Sequence, residues 1–205
     1  MADTTNKPRH PVSFKLLHET IMWSILLLIV TGLYIHRPFI GGAGVSMSIA
    51  RGVHTFFAIV LTITVVARII AMFVGRDRDW SSFIPGGSDI KLFPKVLGYY
   101  AYMSKEPDLK KKYNPLQMCT YSLAFLLIIF QILSGLALKY PYPDNFMSWW
   151  NYGIFNNGID VRIAHYIVMW LFIMFVMIHV YLTVREKFGE IKEMHLLSKE
   201  ETEEA

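Results

Sequence analysis

The sequence predicts an all-α membrane protein in which a single domain, residues 1–205, forms a bundle of four transmembrane helices. Hydrophobic residues make up 54% of the 205 positions, charged residues make up only 18%, and the mean hydropathy is +0.37. Four apolar stretches reach the roughly 20 residues that a membrane span needs. A soluble domain carries fewer apolar and more charged residues, so this composition argues against a soluble two-layer enzyme and against a disordered protein.

The four apolar stretches are the predicted spans. The third contains no charged residue, and the fourth contains two histidines as its only titratable groups besides tyrosine. Cys119 is the only cysteine, which excludes a disulfide framework, a four-cysteine metal site and a C-x-x-C-H haem attachment. The predicted spans cover about 14–35, 49–74, 116–138 and 163–184.

Lysine and arginine are distributed unequally around these spans. Fifteen lie on the side of the two termini and the long middle connection, and four lie on the opposite side. Because cytoplasmic segments carry the excess of positive charge, both termini are predicted to be cytoplasmic, in a cytoplasmic (inner) membrane. The N-terminal arm lacks a signal-peptide cleavage site and is interpreted as a retained arm. This topology explains the basic composition without a nucleic-acid partner.

The connections between the spans carry their own patterns. In the cytoplasmic connection, residues 75–114, Phe93, Val96, Leu97 and Tyr100 recur at helical spacing. This spacing favours a short helix at the inner interface, with a solvated loop helix as the alternative. The outer loop KYPYPDNFMSWWNYGIF is rich in Trp and Tyr, which is typical of headgroup depth and of protein interfaces. Residues 185–205 form the cytoplasmic tail.

Four histidines lie within the predicted spans, at His18, His54, His165 and His179. Ionisable residues inside a membrane are costly and usually functional. His165 and His179 are separated by 14 residues, which is a rotation ~40° short of four full helical turns and a rise of ~21 Å. Both imidazole rings therefore project from the same face of the fourth helix, one near each surface of the bilayer.

The predicted topology places these histidines at two depths. His54 and His165 lie near the outer surface and are called the outer histidines; His18 and His179 lie near the cytoplasm and are called the inner histidines. Each pair joins two helices, as in four-helix bundles that hold b-type haem. A single intramembrane histidine is more often a packing residue, but two matched pairs favour two haem b groups with these four residues as the metal ligands.

Basic side chains near the histidines are candidate partners of the haem propionates. Arg51, Arg162 and Lys15 each precede a predicted ligand by three residues, on the side nearer to water, where a cation would neutralise a propionate. Arg68 follows His54 by 14 residues and shares its face at inner depth, where it is a candidate partner of a propionate or a quinone headgroup. Ordinary interfacial anchoring is the alternative for the arginines.

Small residues occur in the same spans as the histidines. Thr31-Gly32, Ser134-Gly135 and Gly52 would let a flat macrocycle approach a helix backbone. Helix–helix packing without a cofactor is the alternative interpretation.

Several motifs together resemble a known family. They are His18, TGLYIHRPF in the first span, R-G-V-H-T in the second, KYNPLQ before the third and R-I-A-H in the fourth. The sequence resembles the b-type cytochrome subunit of membrane-bound nickel–iron hydrogenases, and it is similar to the cytochrome b gamma subunit of respiratory formate dehydrogenase. The resemblance covers essentially the whole chain.

This resemblance implies a function in electron transfer. Such subunits anchor iron–sulfur and catalytic subunits at the outer face and receive electrons from the partner's distal iron–sulfur cluster. The electrons pass through the outer and inner haems to menaquinone or ubiquinone near the cytoplasmic face. The resemblance also places the asparagine of the K-Y-N segment, Asn114, at the quinone site.

Two other function classes stay open at the level of sequence. One is a stand-alone b561-type oxidoreductase that oxidises superoxide or another outer donor and reduces quinone. The other is a haem-free anchor or a proton-coupled transporter that uses the histidines as relays. A co-purifying nickel–iron or molybdenum protein would separate the leading interpretation from the first of these, and a b-type absorption band would separate it from the second.

Overall fold

The computed structural model describes residues 12–38, 46–74, 86–105, 115–142 and 144–186, and these residues are helical apart from short turns. A six-residue π-helical segment, Trp149–Ile154, lies between the last two helices. The asparagine at 114 lies outside the described residues. The helices are α1 (Val12–His36), α2 (Met47–Val74), α3 (Gly87–Tyr100), α4 (Pro115–Lys139) and α5 (Gly158–Glu186).

Four of the five helices are long and apolar enough to cross a membrane. They are α1, α2, α4 and α5, with candidate spans of 25, 28, 25 and 27 residues. The four predicted spans are therefore confirmed as helices, and most of their ends agree with the sequence-based boundaries within two residues. A helix suits the bilayer core because it satisfies its backbone hydrogen bonds within the segment.

The largest boundary difference is at the start of α5, which begins five residues before the predicted span. Asn157 explains the early start, because its Oδ1 accepts hydrogen bonds from the backbone N–H groups of Ile159 (2.8 Å) and Asp160 (3.1 Å). An asparagine in this position satisfies the free N–H groups of a first helical turn. Hydropathy alone misses this polar turn, which precedes the apolar run.

The long helices present an apolar stripe on their exposed side. On α2, large hydrophobic residues are exposed at intervals of three or four along the whole helix, which is the pattern of one helical face. The opposite side contains buried Leu61 and Val65 and half-buried His54 and Arg68. The exposed α2 stripe is Ile49, Val53, Phe56, Ile59, Ile63, Val66, Ile70 and Phe73.

The fourth long helix shows the same division. Large apolar residues of α5 are exposed at intervals of three or four, whereas Val161, Met169 and Phe172 are buried. His165 and His179 are half-buried. The histidines of α2 and α5 therefore lie away from the apolar stripe that suits lipid contact. The exposed α5 stripe is Ile163, Ile167, Trp170, Met174, Met177, Tyr181 and Val184.

The chain divides into two compact units. The first comprises Met1–Arg68 and Ile173–Ala205, and it contains α1, most of α2 and the second half of α5. The second comprises Ile69–Phe172, and it contains α3, α4, the π-helical segment and the first half of α5.

Within the second unit, α3 lies against the start of α4, where Phe93 and Pro94 line a small cavity together with Pro115 and Cys119. Val96 of α3 is fully buried, and the carboxylate of Asp89 accepts a hydrogen bond from the backbone N–H of Gly86 at 2.7 Å, which closes the first turn. A buried cluster joins the end of α4, the following segment and the start of α5; it consists of Ala137, Met147, Trp150 and Val161. The position of α3 at the inner membrane interface stays a prediction.

Candidate functional site

The outer histidine of the first unit, His54, is hydrogen-bonded to α1. Its Nδ1 lies 2.8 Å from Oγ1 of Thr31, and the Thr31 hydroxyl also donates to the carbonyl oxygen of Leu27 at 2.7 Å. The imidazole is half-buried. The contact directs the Nδ1 edge of the ring toward α1, so Nε2 lies on the side of the ring away from that hydroxyl.

The outer histidine of the second unit, His165, has the same kind of partner. Its Nδ1 lies 2.8 Å from Oγ of Ser134 on α4, and this hydroxyl donates to the carbonyl oxygen of Phe130 at 2.7 Å. A Cβ placed on Gly135 would lie 3.5 Å from Cε1 of His165, an ordinary van der Waals contact. The backbone of α4 therefore lies directly beside the imidazole ring.

Gln131 adds a second link between α4 and the His165 turn. Its Nε2 donates to the backbone carbonyl of His165 at 3.1 Å. Its Oε1 is buried without a hydrogen-bond partner among the described residues. The amide therefore ties α5 to α4 at the level of the histidine.

The two hydroxyl–imidazole contacts occupy equivalent positions in their helices. Thr31 and Ser134 each lie five residues before the last residue of their helix, α1 or α4. His54 and His165 each lie seven residues after the first residue of the following long helix, α2 or α5. The same local arrangement is thus built twice from different sequence.

The inner histidines have different surroundings. The imidazole of His179 stacks on the ring of Phe175, one turn earlier on α5, with centroids 5.6 Å apart and planes 14° apart. His18 is half-buried in the second turn of α1. Both belong to the first unit. Their pairing with each other, like that of the outer histidines, stays a prediction.

Arg68 lies close to the start of α1. Its guanidinium carbon is 4.5 Å from the centroid of the Phe14 ring, which is a cation–π contact. Phe14 precedes His18 by four residues and therefore shares its face of α1. The structure thus brings Arg68 to the helical face that carries His18.

The other predicted cations lie one turn before their histidines. The side chains of Arg51 and Arg162 are exposed, and Lys15 is half-buried. This exposure suits both propionate neutralisation and interfacial anchoring, so their role stays a prediction. A Cβ placed on Gly52 would have no described atom within 4 Å, so no neighbouring described residue requires a glycine at this position.

The outer histidines fit the chemistry of haem ligation. A histidine that binds a metal through one ring nitrogen normally donates the other N–H to an oxygen acceptor, which fixes the tautomer. His54 and His165 each have a hydroxyl oxygen 2.8 Å from Nδ1. In this arrangement Nε2 is the ring nitrogen that would bind iron.

Four helices long and apolar enough to cross a membrane, with half-buried imidazoles away from their exposed apolar stripes, are what a multi-pass membrane protein of the cytochrome b class requires. Residues 9–195 match the family model described as prokaryotic cytochrome b561. The chain belongs to this family, whose members hold b-type haem, and its place in the membrane follows from that membership together with its four apolar helices.

The names of similar proteins agree with this family. The chain is 30% identical over 187 residues to the "Probable Ni/Fe-hydrogenase B-type cytochrome subunit" of Bradyrhizobium diazoefficiens, covering 84% of this chain and 75% of the relative. It is 29% identical to the protein of the same name from Rhizobium leguminosarum bv. viciae, covering 82% and 77%. It is 26% identical to the "Probable Ni/Fe-hydrogenase 1 B-type cytochrome subunit" of Escherichia coli strain K12, covering 82% and 78%.

The hydroxyls of Thr31 and Ser134 are the site residues that sequence reasoning missed. In the sequence both are recognisable only as small residues beside a glycine, yet each contacts a histidine. A signal was available in the sequence. Both hydroxyl residues lie five residues before the end of their helix, and both histidines lie seven residues after the start of the next long helix.

Proposed function

We propose that this chain is the membrane subunit that passes electrons from the iron–sulfur subunit of a partner hydrogenase to the quinone pool through two b-type haems. Quinone is reduced near the cytoplasmic face. A formate dehydrogenase is the other donor enzyme compatible with the sequence. The observation that supports the proposal most strongly is the family match over residues 9–195, in a chain whose four intramembrane histidines are all half-buried.

The four histidines would hold the haems. His54 and His165 would bind the outer iron, and His18 and His179 the inner iron, each through a neutral imidazole nitrogen. When bound, haem supplies one-electron Fe(III)/Fe(II) chemistry at two levels of the membrane. The chain's own contribution is to fix the imidazole orientations and to place cations beside the propionates.

Quinone chemistry is assigned to the inner surface. Reduction of a quinone consumes two electrons and two protons, and the protons are available at the cytoplasmic side. Arg68, on the His18 face of α1, and Asn114, in the KYNPLQ motif, are the proposed quinone-site residues. Arg68 would supply positive charge to a developing quinol oxyanion, and Asn114 would donate a hydrogen bond to a quinone carbonyl oxygen.

The partner enzyme is assigned to the outer surface. The loop after α4 exposes several aromatic side chains, among them Tyr142 (74% exposed), Phe146 (63%) and Trp149 (53%). Aromatic residues are enriched in protein interfaces. The relatives named above are hydrogenase subunits by name, which supports a nickel–iron hydrogenase as the protein that docks here.

Purification from the native membrane tests the proposal. The chain is expected to co-purify with a nickel–iron protein, to show a reduced-minus-oxidised b-type band, and to couple hydrogen oxidation to reduction of a quinone. A preparation without the b-type band would contradict the proposal. A haem-loaded chain that purifies alone and reduces quinone with superoxide would support the stand-alone oxidoreductase instead.

A further inference from the structure

We propose that Thr31 and Ser134 are positioning residues that hold the outer histidines as Nδ1–H tautomers, so that Nε2 would be the nitrogen that binds haem iron. The proposal deepens the proposed function and rests on it, because it assumes that His54 and His165 are haem ligands. It adds a role for two hydroxyl groups, namely tuning the potential of the outer haem.

The direction of each hydrogen bond follows from the proton count of the hydroxyl. A serine or threonine hydroxyl has one proton and two lone pairs. In Thr31 the proton is directed at the Leu27 carbonyl, 2.7 Å away, and in Ser134 at the Phe130 carbonyl, also 2.7 Å away. If either hydroxyl instead donated to the imidazole, its oxygen would face the carbonyl oxygen at 2.7 Å with no proton between them.

The hydroxyls therefore accept from the histidines. Each presents a lone pair to Nδ1 at 2.8 Å, so Nδ1 must carry the proton. A neutral imidazole carries only one N–H, which leaves the Nε2 lone pair of both rings unprotonated. This is the tautomer that a metal ligand requires at Nε2, and the acceptor on Nδ1 raises the basicity of the ligand.

The repetition of the arrangement argues that the contacts are more than ordinary helix packing. Thr62 on α2 and Thr120 on α4 also donate to carbonyls one turn earlier, at 2.7 and 2.9 Å, so this bond alone is common in the fold. Thr31 and Ser134 differ because each also meets a histidine, once in each compact unit. In each of two separate helix pairs, a hydroxyl thus contacts Nδ1 of a histidine.

The consequence is a defined direction of change in redox potential. A hydrogen bond accepted from Nδ1–H makes the imidazole a stronger electron donor and favours Fe(III) over Fe(II). Removing the acceptor should raise the midpoint potential of the outer haem. We expect a change of about tenfold in the Fe(III)/Fe(II) equilibrium, which is about 59 mV for a one-electron couple.

The test uses the purified, haem-loaded full chain in spectroelectrochemical titrations. Thr31→Val and Ser134→Ala should each raise the potential of one of the two haems and shift its low-spin ferric EPR signal, while the other haem is unchanged. Thr31→Ser, which keeps the hydroxyl, should restore the original potential. Thr62→Val is the matched control, because it removes a threonine hydroxyl whose described hydrogen bond is to a carbonyl.

The outcomes separate this inference from the proposed function. Unchanged potentials in Thr31→Val and Ser134→Ala, or equal shifts in Thr62→Val, would overturn the hydroxyl role although both haems remain. Loss of a haem in Thr31→Val but not in Thr31→Ser would support it, and loss in both would overturn it. Absence of haem from the unsubstituted chain would instead overturn the proposed function.

Discussion

The outer and inner histidines differ in what their rings contact. Both outer rings direct Nδ1 to a hydroxyl on the preceding long helix, at 2.8 Å in each case. At the inner level, His179 stacks on Phe175, and a guanidinium lies over Phe14 on the helical face of His18. The described contacts of the outer rings are thus neutral hydrogen bonds, and those described at the inner level are an aromatic stack and a cation–π pair.

This difference suits two tasks. Neutral hydrogen bonds adjust the potential of an electron carrier without attracting protons or anions. A cation near the inner level is suited to a substrate that gains negative charge before it is protonated. We therefore expect substitutions at the inner level to change quinone chemistry, and those at the outer level to change redox potential.

The largest expected effect comes from removing an inner ligand. His179→Ala should abolish quinone reduction and remove about half of the b-type absorbance, because one of the two proposed haems loses a ligand. Hydrogen oxidation with a soluble dye should persist, since the dye takes electrons from the partner enzyme directly. The measurement is the ratio of quinone to dye activity in membranes.

His36→Ala is the control for that experiment. His36 is the exposed last residue of α1, a position typical of a histidine at the membrane interface and not of a haem ligand, so both activities should be retained. Equal losses of dye and quinone activity in His179→Ala would contradict the assigned role of the inner histidine.

The next effect is expected at the KYNPLQ motif. Asn114→Ala should leave the haem content normal and slow quinone reduction, because a hydrogen bond to the quinone is lost. Such a bond to a charge-bearing oxygen contributes about 1.5–3 kcal/mol, which corresponds to a slowing of roughly tenfold or more. Steady-state quinone kinetics with a parallel haem assay would check this, and haem loss would indicate a structural role instead.

A smaller effect is expected at Arg68. Arg68→Gln should lower the potential of the inner haem, since a nearby cation favours the reduced and more negative state. An interaction of about 1 kcal/mol corresponds to roughly 40 mV for one electron. Arg68→Lys, which keeps the charge, should shift the potential less. An identical shift in both variants would show that the charge is not the cause.

The smallest effect is expected far from both histidine levels. Asn157→Ala should destabilise the fold by about 1 kcal/mol, the usual contribution of an asparagine N-cap, while the spectrum of the haems stays the same. Asn156→Ala, at the exposed neighbouring position, is the matched control. Thermal unfolding in detergent would compare the two variants, and equal stabilities would show that the Asn157 cap contributes nothing.

Much of the fold follows from the sequence because lipid imposes a simple rule. Spans must be apolar for about 20 residues, so hydropathy locates α1, α2, α4 and α5 directly. The sequence-based boundary for the start of α5 was five residues late. The true start depends on the side chain of Asn157, which caps a polar turn that hydropathy does not recognise. A helix cap depends on one local hydrogen bond, so it does not change the average hydropathy by which the spans are located.

The candidate site was predictable in part for a similar reason. Histidines inside spans are rare enough to attract attention, and helical periodicity assigns them to faces. The roles of Thr31 and Ser134 were not predictable, because serine and threonine are common in membrane helices and usually bond to their own backbone, as Thr62 does. Only the side-chain geometry distinguishes a hydroxyl that also reaches an imidazole.

The haem-to-protein ratio of the purified chain, determined as pyridine haemochrome, tests the central claim most directly. Two haems b per chain are expected, and one should remain when His54 and His165 are both replaced by alanine, because the inner pair is untouched. A ratio of one in the unsubstituted chain, or of two after the double replacement, would contradict the account.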